Sequence, residues 1–376
     1  MDLVSGYIIL EDFSQNRQYL TWNQKALKAL QNLGGMVVVK SLVSDRAKAL
    51  IQLAVQGFDC TSLPDLFHAM RGISKAVGSR FGSRLNHLKK QLRTLHTQVL
   101  NHIQQHQEIP ERLSQQIAVL QDQYNFFLTG QQAYRDILHQ ITCVVYPFTI
   151  DGSKFQSTVD VATALYQLLP QLAALGHTYQ IPKLDQPIKT FSDQIAAMAA
   201  GINLWWQSVE ESLQLEEIDV EMSNWLLKYF LPHFYWRSVI NHTKNPTLRH
   251  IYEQASIIAL KHLLQHPFTS KLDSDEWAYW RDWATRMSAK FQRSSSAIEG
   301  RNGYLSRLHH CGRGISQQQL PVLTVIHNFD LKRTDGTTAA QRLFGQEFPD
   351  LFESIIAQMG DLPLARKPRK FGDFNY

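Results

Sequence analysis

Cysteine is scarce in this chain. Cys60, Cys143 and Cys311 are its three cysteines. They stand singly with no CxxC pair, which excludes a zinc ribbon and an even disulfide framework and points to a reducing compartment. Long apolar runs are missing too. The most apolar helical stretches are broken by Asp, Gln or Asn before the roughly 18 residues that a membrane span needs, and no basic segment followed by an apolar one opens the chain. The expectation is a cytoplasmic protein with no membrane partner and no secretory leader. No internal repeat or low-complexity block occurs, which sets solenoids and disordered tracts aside.

What is present is folded-protein composition. The 376 residues exceed one typical core, and 44% hydrophobic with 19% charged residues predicts two or more folded parts. The formal net charge of +5 favours an anionic partner, of which nucleic acid is the commonest.

Residues 1–76 read as alternating strand and helix. Leu3 to Leu10 carries β-branched and aromatic residues around Ser5-Gly6, which predicts a hairpin of Met1–Leu3 with Tyr7–Phe13. Thr21 caps a helix through Trp22, Ala26, Leu30 and Leu33, ended by Gly34-Gly35. Met36 to Val39 is a continuous apolar run, expected as a strand buried on both faces that continues to Ser44 and Asp45 at its carboxyl end. A helix over 46–56 and a short strand over 58–63 complete a parallel unit, and Asp65 and His68 follow where that strand hands over to a helix.

Residues 77–290 read as all-helical. Leu85, Leu88, Leu92, Leu95, Val99 and Ile103, then Pro110, then Leu113, Ile117, Leu120, Tyr124 and Phe127 predict an antiparallel helical hairpin. Helices are expected over 159–175, 188–215, 222–240 and 248–264, punctuated by Gly152, Pro182, Pro187, Pro232 and Pro246. Seven of the eight tryptophans lie between Trp205 and Trp283, so this inserted part should own a substantial core. Residues 291–362 return to shorter elements: a helix opened by Ser294-Ser295-Ser296, a turn at Cys311 to Gly314, a helix through Val322 to Phe329, a capping box at Thr338/Gln341, and a last helix before Pro363. The tail, 363–376, holds the basic, Pro-broken run Arg366 to Lys370.

Two carboxylates organise the candidate chemistry. Asp45 ends a strand, and Glu299 sits in the first turn of the Ser-opened helix beside Arg301 and Asn302. Such carboxylates, brought together, are hard oxygen ligands of the kind Mg²⁺ or Mn²⁺ takes in two-metal phosphoryl transfer. Each also has a plain structural reading, Asp45 as a helix cap and Glu299 as a first-turn partner of the helix dipole. Asp65 with His68 reads either as a hydrogen-bonded structural pair or as a support for substrate or a neighbouring carboxylate. His102 and His106 read as a solvated face, Trp277, Trp280 and Trp283 as helix core, and the tail as a solvated end or a phosphate contact.

In this order the residues resemble the latter part of a DDE-type transposase of the bacterial insertion-sequence kind, akin to the Mutator-like and hAT-like groups. Ser44-Asp45-Arg46, then Asp65-Leu66-Phe67-His68, a long helical insertion, and Ala297-Ile298-Glu299-Gly300-Arg301-Asn302 carry the likeness. It implies an α/β RNase H-like core, N-terminally incomplete, interrupted by a large all-α insertion and predominantly helical overall. It also implies Asp45 and Glu299 as second and third catalytic and metal carboxylates, with Asp65, His68, Arg301 and Asn302 in support. Mg²⁺ or Mn²⁺ would be the ion, transposon-end DNA the partner, a homodimer the assembly that holds two DNA ends, and no small-molecule cofactor is expected. The first carboxylate of such a site is not matched, Asp2 being a hairpin residue, so the expectation is a transposase or transposase fragment impaired in strand cleavage and transfer. The alternative is a non-catalytic DNA-binding or oligomerisation module.

Overall fold

A computed structural model describes residues 1–14, 16–34, 37–151, 154–312 and 314–359. The protein is predominantly helical and divides into two compact units, Met1–Val37 with Ser296–Tyr376, and Val38–Ser295.

The Val38–Ser295 unit opens with a parallel pair, β1 (Ser41–Ser44) and β2 (Thr61–Pro64), in the register Ser41↔Thr61 to Ser44↔Pro64. The crossover between them is helix Lys48–Gln52 running into a wider π-helical turn, Leu53–Gly57. The parallel pairing is the one the sequence predicts, but the apolar run ahead of it is not the buried strand expected. Val37 and Val38 are exposed and the pairing starts only at Ser41. Val37 and Val38 precede the paired residues and have no strand partner among the described residues. Met36, Gly35, Gly152, Arg313 and the basic tail lie outside the described residues.

Two apolar cores fill the rest of this unit. The first gathers Phe81 from helix Ser79–Gln104, Tyr134, Ile137 and Ile141 from helix Glu111–Val144, and Val161, Leu165, Leu168, Leu172 and Leu175 from helix Thr158–Thr178. That last series steps by three and four, the spacing that turns one helical face inward. Its start is set by a capping box in which the Ser157 and Asp160 side chains satisfy each other's backbone N–H. The second core is aromatic: Trp225, Trp236, Trp283, Tyr235 and Tyr252 are almost completely buried in it. Helix Ile195–Gln214 threads both, giving Ile195, Met198, Ala199 and Ile202 to the first and Trp205, Val209 and Leu213 to the second.

The helical hairpin forms as predicted, and Trp280 and Trp283 are core residues. His102 and His106, however, do not share a helix, which ends at Gln104; His106 has φ 54°. The expected helix over 188–215 is two, Asp185–Ser192 and Ile195–Gln214, and that over 222–240 runs as Val220–Trp225, a π-helical turn Leu226–Phe230, and Leu231–His242. Pro232, which has no N–H to donate, falls just after that π-helical turn.

The other unit contains helices Tyr19–Gln31, Ser296–Cys311, Gln319–Phe329, Ala339–Phe344 and Leu351–Met359. Its N-terminal segment is not the hairpin expected. The Asp2 N–H donates to Tyr7 O at 2.8 Å and Gly6 N–H to Asp2 O at 2.9 Å, closing a tight turn in which Gly6 has φ 79°. Side chains then hold the segment. The Asn328 amide accepts from Ile8 N–H at 2.9 Å and donates to Ile8 O at 3.1 Å, supplying the donor and acceptor that a neighbouring strand would. Tyr7 packs edge-on against Phe329 and Phe344. The Thr338/Gln341 capping box is present, as the spacing predicts.

Candidate functional site

The carboxyl ends of β1 and β2 lie side by side, and each hands over to an acidic residue. Ser44 is paired with Pro64, and Asp65 N–H donates to Ser44 O at 2.8 Å, so Asp45 and Asp65 follow the last rung together. Their environments are opposite. Asp45 is exposed, while Asp65 is 2% exposed.

Asp45 owes its exposure to the backbone after it. Arg46 has φ 61°, a conformation a non-glycine residue adopts only when its surroundings hold it there. Its guanidinium reaches back to donate to Ser62 O at 3.1 Å, and its N–H donates to Ser44 Oγ at 3.1 Å, so the sharp turn is clamped to both strands. Asp45 Oδ1 accepts from Ala47 N–H at 3.1 Å, a local turn, and the residue capping helix Lys48–Gln52 is Ala47.

Asp65 is spoken for on every side. It is the N-cap of helix Leu66–Ile73, its Oδ1 accepting from His68 N–H at 3.0 Å with His68 Nδ1 3.4 Å away. Its Oδ2 accepts from both the N–H and the hydroxyl of Ser295, at 2.5 and 2.6 Å. Burial alone would push this carboxyl up, but the hydrogen bonds from Ser295 and His68 outweigh it and hold the group below the usual carboxylate range. Leu66 N–H adds a bond to Arg293 O at 3.0 Å. The residues just before helix Ser296–Cys311 are thus stitched to the end of β2.

Arg293 anchors the same segment from its other side. Its Nη1 donates to Thr142 O at 2.6 Å and Val145 O at 3.3 Å, carbonyls at the end of helix Glu111–Val144, where the dipole favours a cation. Its Nη2 donates to the Tyr146 hydroxyl, and the guanidinium carbon lies 3.9 Å from that ring's centre. Buried Tyr235 and Tyr252, whose hydroxyls burial pushes up, line this pocket.

Glu299 and Asn302 are exposed on helix Ser296–Cys311, Glu299 in its first turn, and belong to the other unit than Asp45. Arg301 is 8% exposed and does not face solvent. Its Nε and Nη2 meet the Glu11 carboxylate at 2.9 and 2.6 Å, and Thr324 Oγ1 donates to Glu11 Oε2 at 2.9 Å. A buried guanidinium needs a two-pronged carboxylate partner, and Glu11 supplies it. Sequence reading had no signal for Glu11, which sits 290 residues away in the chain. It also missed Ser295 as the Asp65 partner, although Ser294-Ser295-Ser296 marked the place.

The Asp65 oxygens are already occupied by N–H and O–H donors, and among the described residues no group of three His, Cys, Asp or Glu side chains of the kind that holds a metal ion is assembled. No described helix is long and apolar enough to cross a membrane. The hairpin helices leave an open groove lined by Gln91, Leu95, Arg112, Gln116 and Val119, and none of the candidate residues borders it.

The model of a family of unknown function, DUF6399, matches residues 226–371, from the aromatic core through the Glu299 helix to the tail. No curated protein and no solved structure matches the chain.

Proposed function

We propose that this chain is a DNA-processing protein of the DDE-transposase kind, in which Asp45 and Glu299 are the carboxylates that act at the phosphodiester and Mg²⁺ or Mn²⁺ is the ion they serve. The observation that carries the reading is the parallel strand pair. In an open α/β arrangement the working residues gather beyond the carboxyl ends of the strands, and here Asp45 and the Asp65-x-x-His68 motif occupy the two adjacent ends. The two acidic residues divide the labour. Asp45 is exposed and available, whereas Asp65 is locked into positioning the chain that leads to the Glu299 helix.

The partner in this reading is transposon-end DNA, and a homodimer is the assembly that holds two ends. An RNase H-like core, with β1 and β2 as its fourth and fifth strands, is the fold that gives Asp45 and Asp65 these places. A second reading, a non-catalytic DNA-binding or oligomerising module of the same descent, is favoured by Asp65, whose two oxygens are both taken up by structural donors.

A supercoiled-plasmid nicking assay with Mg²⁺ or Mn²⁺ separates the two. The first reading expects nicking that Asp45→Asn and Glu299→Gln each abolish. Nicking that survives either substitution refutes it. Wild-type protein that binds duplex, with no metal dependence and no response to Asp45→Asn, establishes the second.

A further inference from the structure

Between Leu66 and Gln107 the sequence contains no Asp or Glu, yet it carries Arg71, Lys75, Arg80, Arg84, Lys89, Lys90 and Arg93. These seven cations outweigh the net charge of +5 of the whole chain, so the remainder is net acidic. The stretch is one nearly continuous helical rod: Leu66–Ile73, a π-helical turn Ser74–Gly78, and Ser79–Gln104. All but Arg84 are exposed, and none of the seven pairs with a carboxylate among the described residues. Arg84 instead donates to Gln123 Oε1 at 3.3 Å and sits over the Phe127 ring.

The partner helix Glu111–Val144 does not neutralise this charge, since Glu111, Asp122 and Asp136 there are set against Arg112 and Arg135. A protein surface normally intersperses both signs. Keeping six exposed like charges on one rod costs stability through self-repulsion, and the cost is offset when a polyanion binds.

The geometry points to the phosphate backbone of duplex DNA as the partner of this rod. From Arg71 to Arg93 the charges extend about 33 Å at 1.5 Å per residue, close to one turn of B-DNA. An anionic membrane is disfavoured because the apolar face that would insert is already committed: Ile73, Val77, Phe81, Leu85, Leu88 and Leu92 are all buried against the unit's own helices. Exposed Asn86, Gln91 and Thr94 between the cations add uncharged donors of the sort that join Lys and Arg at phosphates. The contact is sequence-independent and positioning. This inference rests on the reading that the chain acts on DNA, and it assigns the surface that holds the duplex.

The test is fluorescence anisotropy with a labelled random-sequence 30-base-pair duplex, titrated at several salt concentrations. Six available cations predict a slope of log K against log salt of about −5. Lys89→Gln/Lys90→Gln/Arg93→Gln should reduce that slope by about 2 to 3 and weaken binding at least tenfold at moderate salt. Arg71→Gln/Lys75→Gln/Arg80→Gln should do the same independently, so the conclusion does not hang on one variant's folding. The charge-matched control is Arg366→Gln/Lys367→Gln/Arg369→Gln in the tail.

An equal loss in that control, or both rod variants binding as wild type, overturns the assignment. So does binding to vesicles of anionic phospholipid without binding to duplex. Affinity and nicking are measured separately on the same protein. Loss of nicking with binding intact would therefore bear on the carboxylates alone, and loss of binding in the rod variants would stand whether or not any nicking is found.

Discussion

Replacing Asp65 tests the central joint of the Val38–Ser295 unit. Asp65→Asn keeps the shape and removes the charge, turning one acceptor oxygen into a donor amide. Three donors lose a charged acceptor: His68 N–H, Ser295 N–H and the Ser295 hydroxyl. Hydrogen bonds to a charged group contribute about 1.5–3 kcal/mol each, and the amide oxygen and a rotated Ser295 hydroxyl recover part of the loss. The expected net destabilisation is about 2–3 kcal/mol, and about 3–5 kcal/mol for Asp65→Ala, which leaves all three donors unpaired.

Urea unfolding followed by tryptophan fluorescence reads this unit selectively, because seven of the eight tryptophans lie in it. With an m-value near 3 kcal/mol/M, the Asn variant should lower the midpoint by about 0.7–1 M without changing m. The pH dependence has a definite sign. The folded carboxyl is held below its unfolded value, so the unfolded chain binds the proton first and the stabilisation is lost as pH falls through the folded pKa. The gap between wild type and Asp65→Asn should be constant above about pH 5 and close below about pH 4. Ser295→Ala combined with Asp65→Asn should show coupling of about 1–2 kcal/mol. A wild-type-like midpoint for Asp65→Asn, or additive effects in the double variant, refutes the joint.

Two further substitutions probe other buried arrangements. Gly130→Ala would place its Cβ 2.4 Å from the Tyr179 ring, so although Ala favours a helix by about 1 kcal/mol, overpacking by about 1–3 kcal/mol or more should win and lower the thermal midpoint. Glu11→Ala strands the buried Arg301 charge and should cost the unit formed by Met1–Val37 with Ser296–Tyr376 about 3–5 kcal/mol, seen as faster amide exchange over residues 5–11. Glu11→Asp, too short to keep both prongs, should not restore the protection.

What sequence could and could not show follows from the range of the interactions. Helices with apolar residues at spacings of three and four were legible in kind, though not in the breaks within 188–215 and 222–240, because that signal is local: the 85–127 hairpin and the Val161 to Leu175 face needed nothing beyond their own residues. The parallel strand pair was legible in kind but not in bounds, since Val37 and Val38 look like a strand and lack a partner to make one. Asp65 and His68 were legible as the place where a strand hands over to a helix, though not as its cap. The decisive partner of Asp65, Ser295, lies 230 residues on, and no local pattern encodes such a pairing. Arg301 reads in sequence as a supporting residue beside Glu299, because Glu11 is invisible from its neighbourhood. The N-terminal hairpin was misjudged for a related reason: Asn328 from a distant helix does for Ile8 what a strand would have done.

The Asp65 joint also sets an order of assembly. Residues 1–37 must wait for residues 296–359 before their unit can form, and about 260 residues are made in between. If that intervening chain were unfolded, bringing its two ends together would cost about 5 kcal/mol in loop closure. Once Ser295 is tied to Asp65, the free loop left between Val37 and Ser296 is only the stretch 38–65, and closing it costs less. Asp65 thus acts as a drawstring on the chain between the two halves of the other unit, and weakening it should delay that unit's formation even where Val38–Ser295 itself still folds.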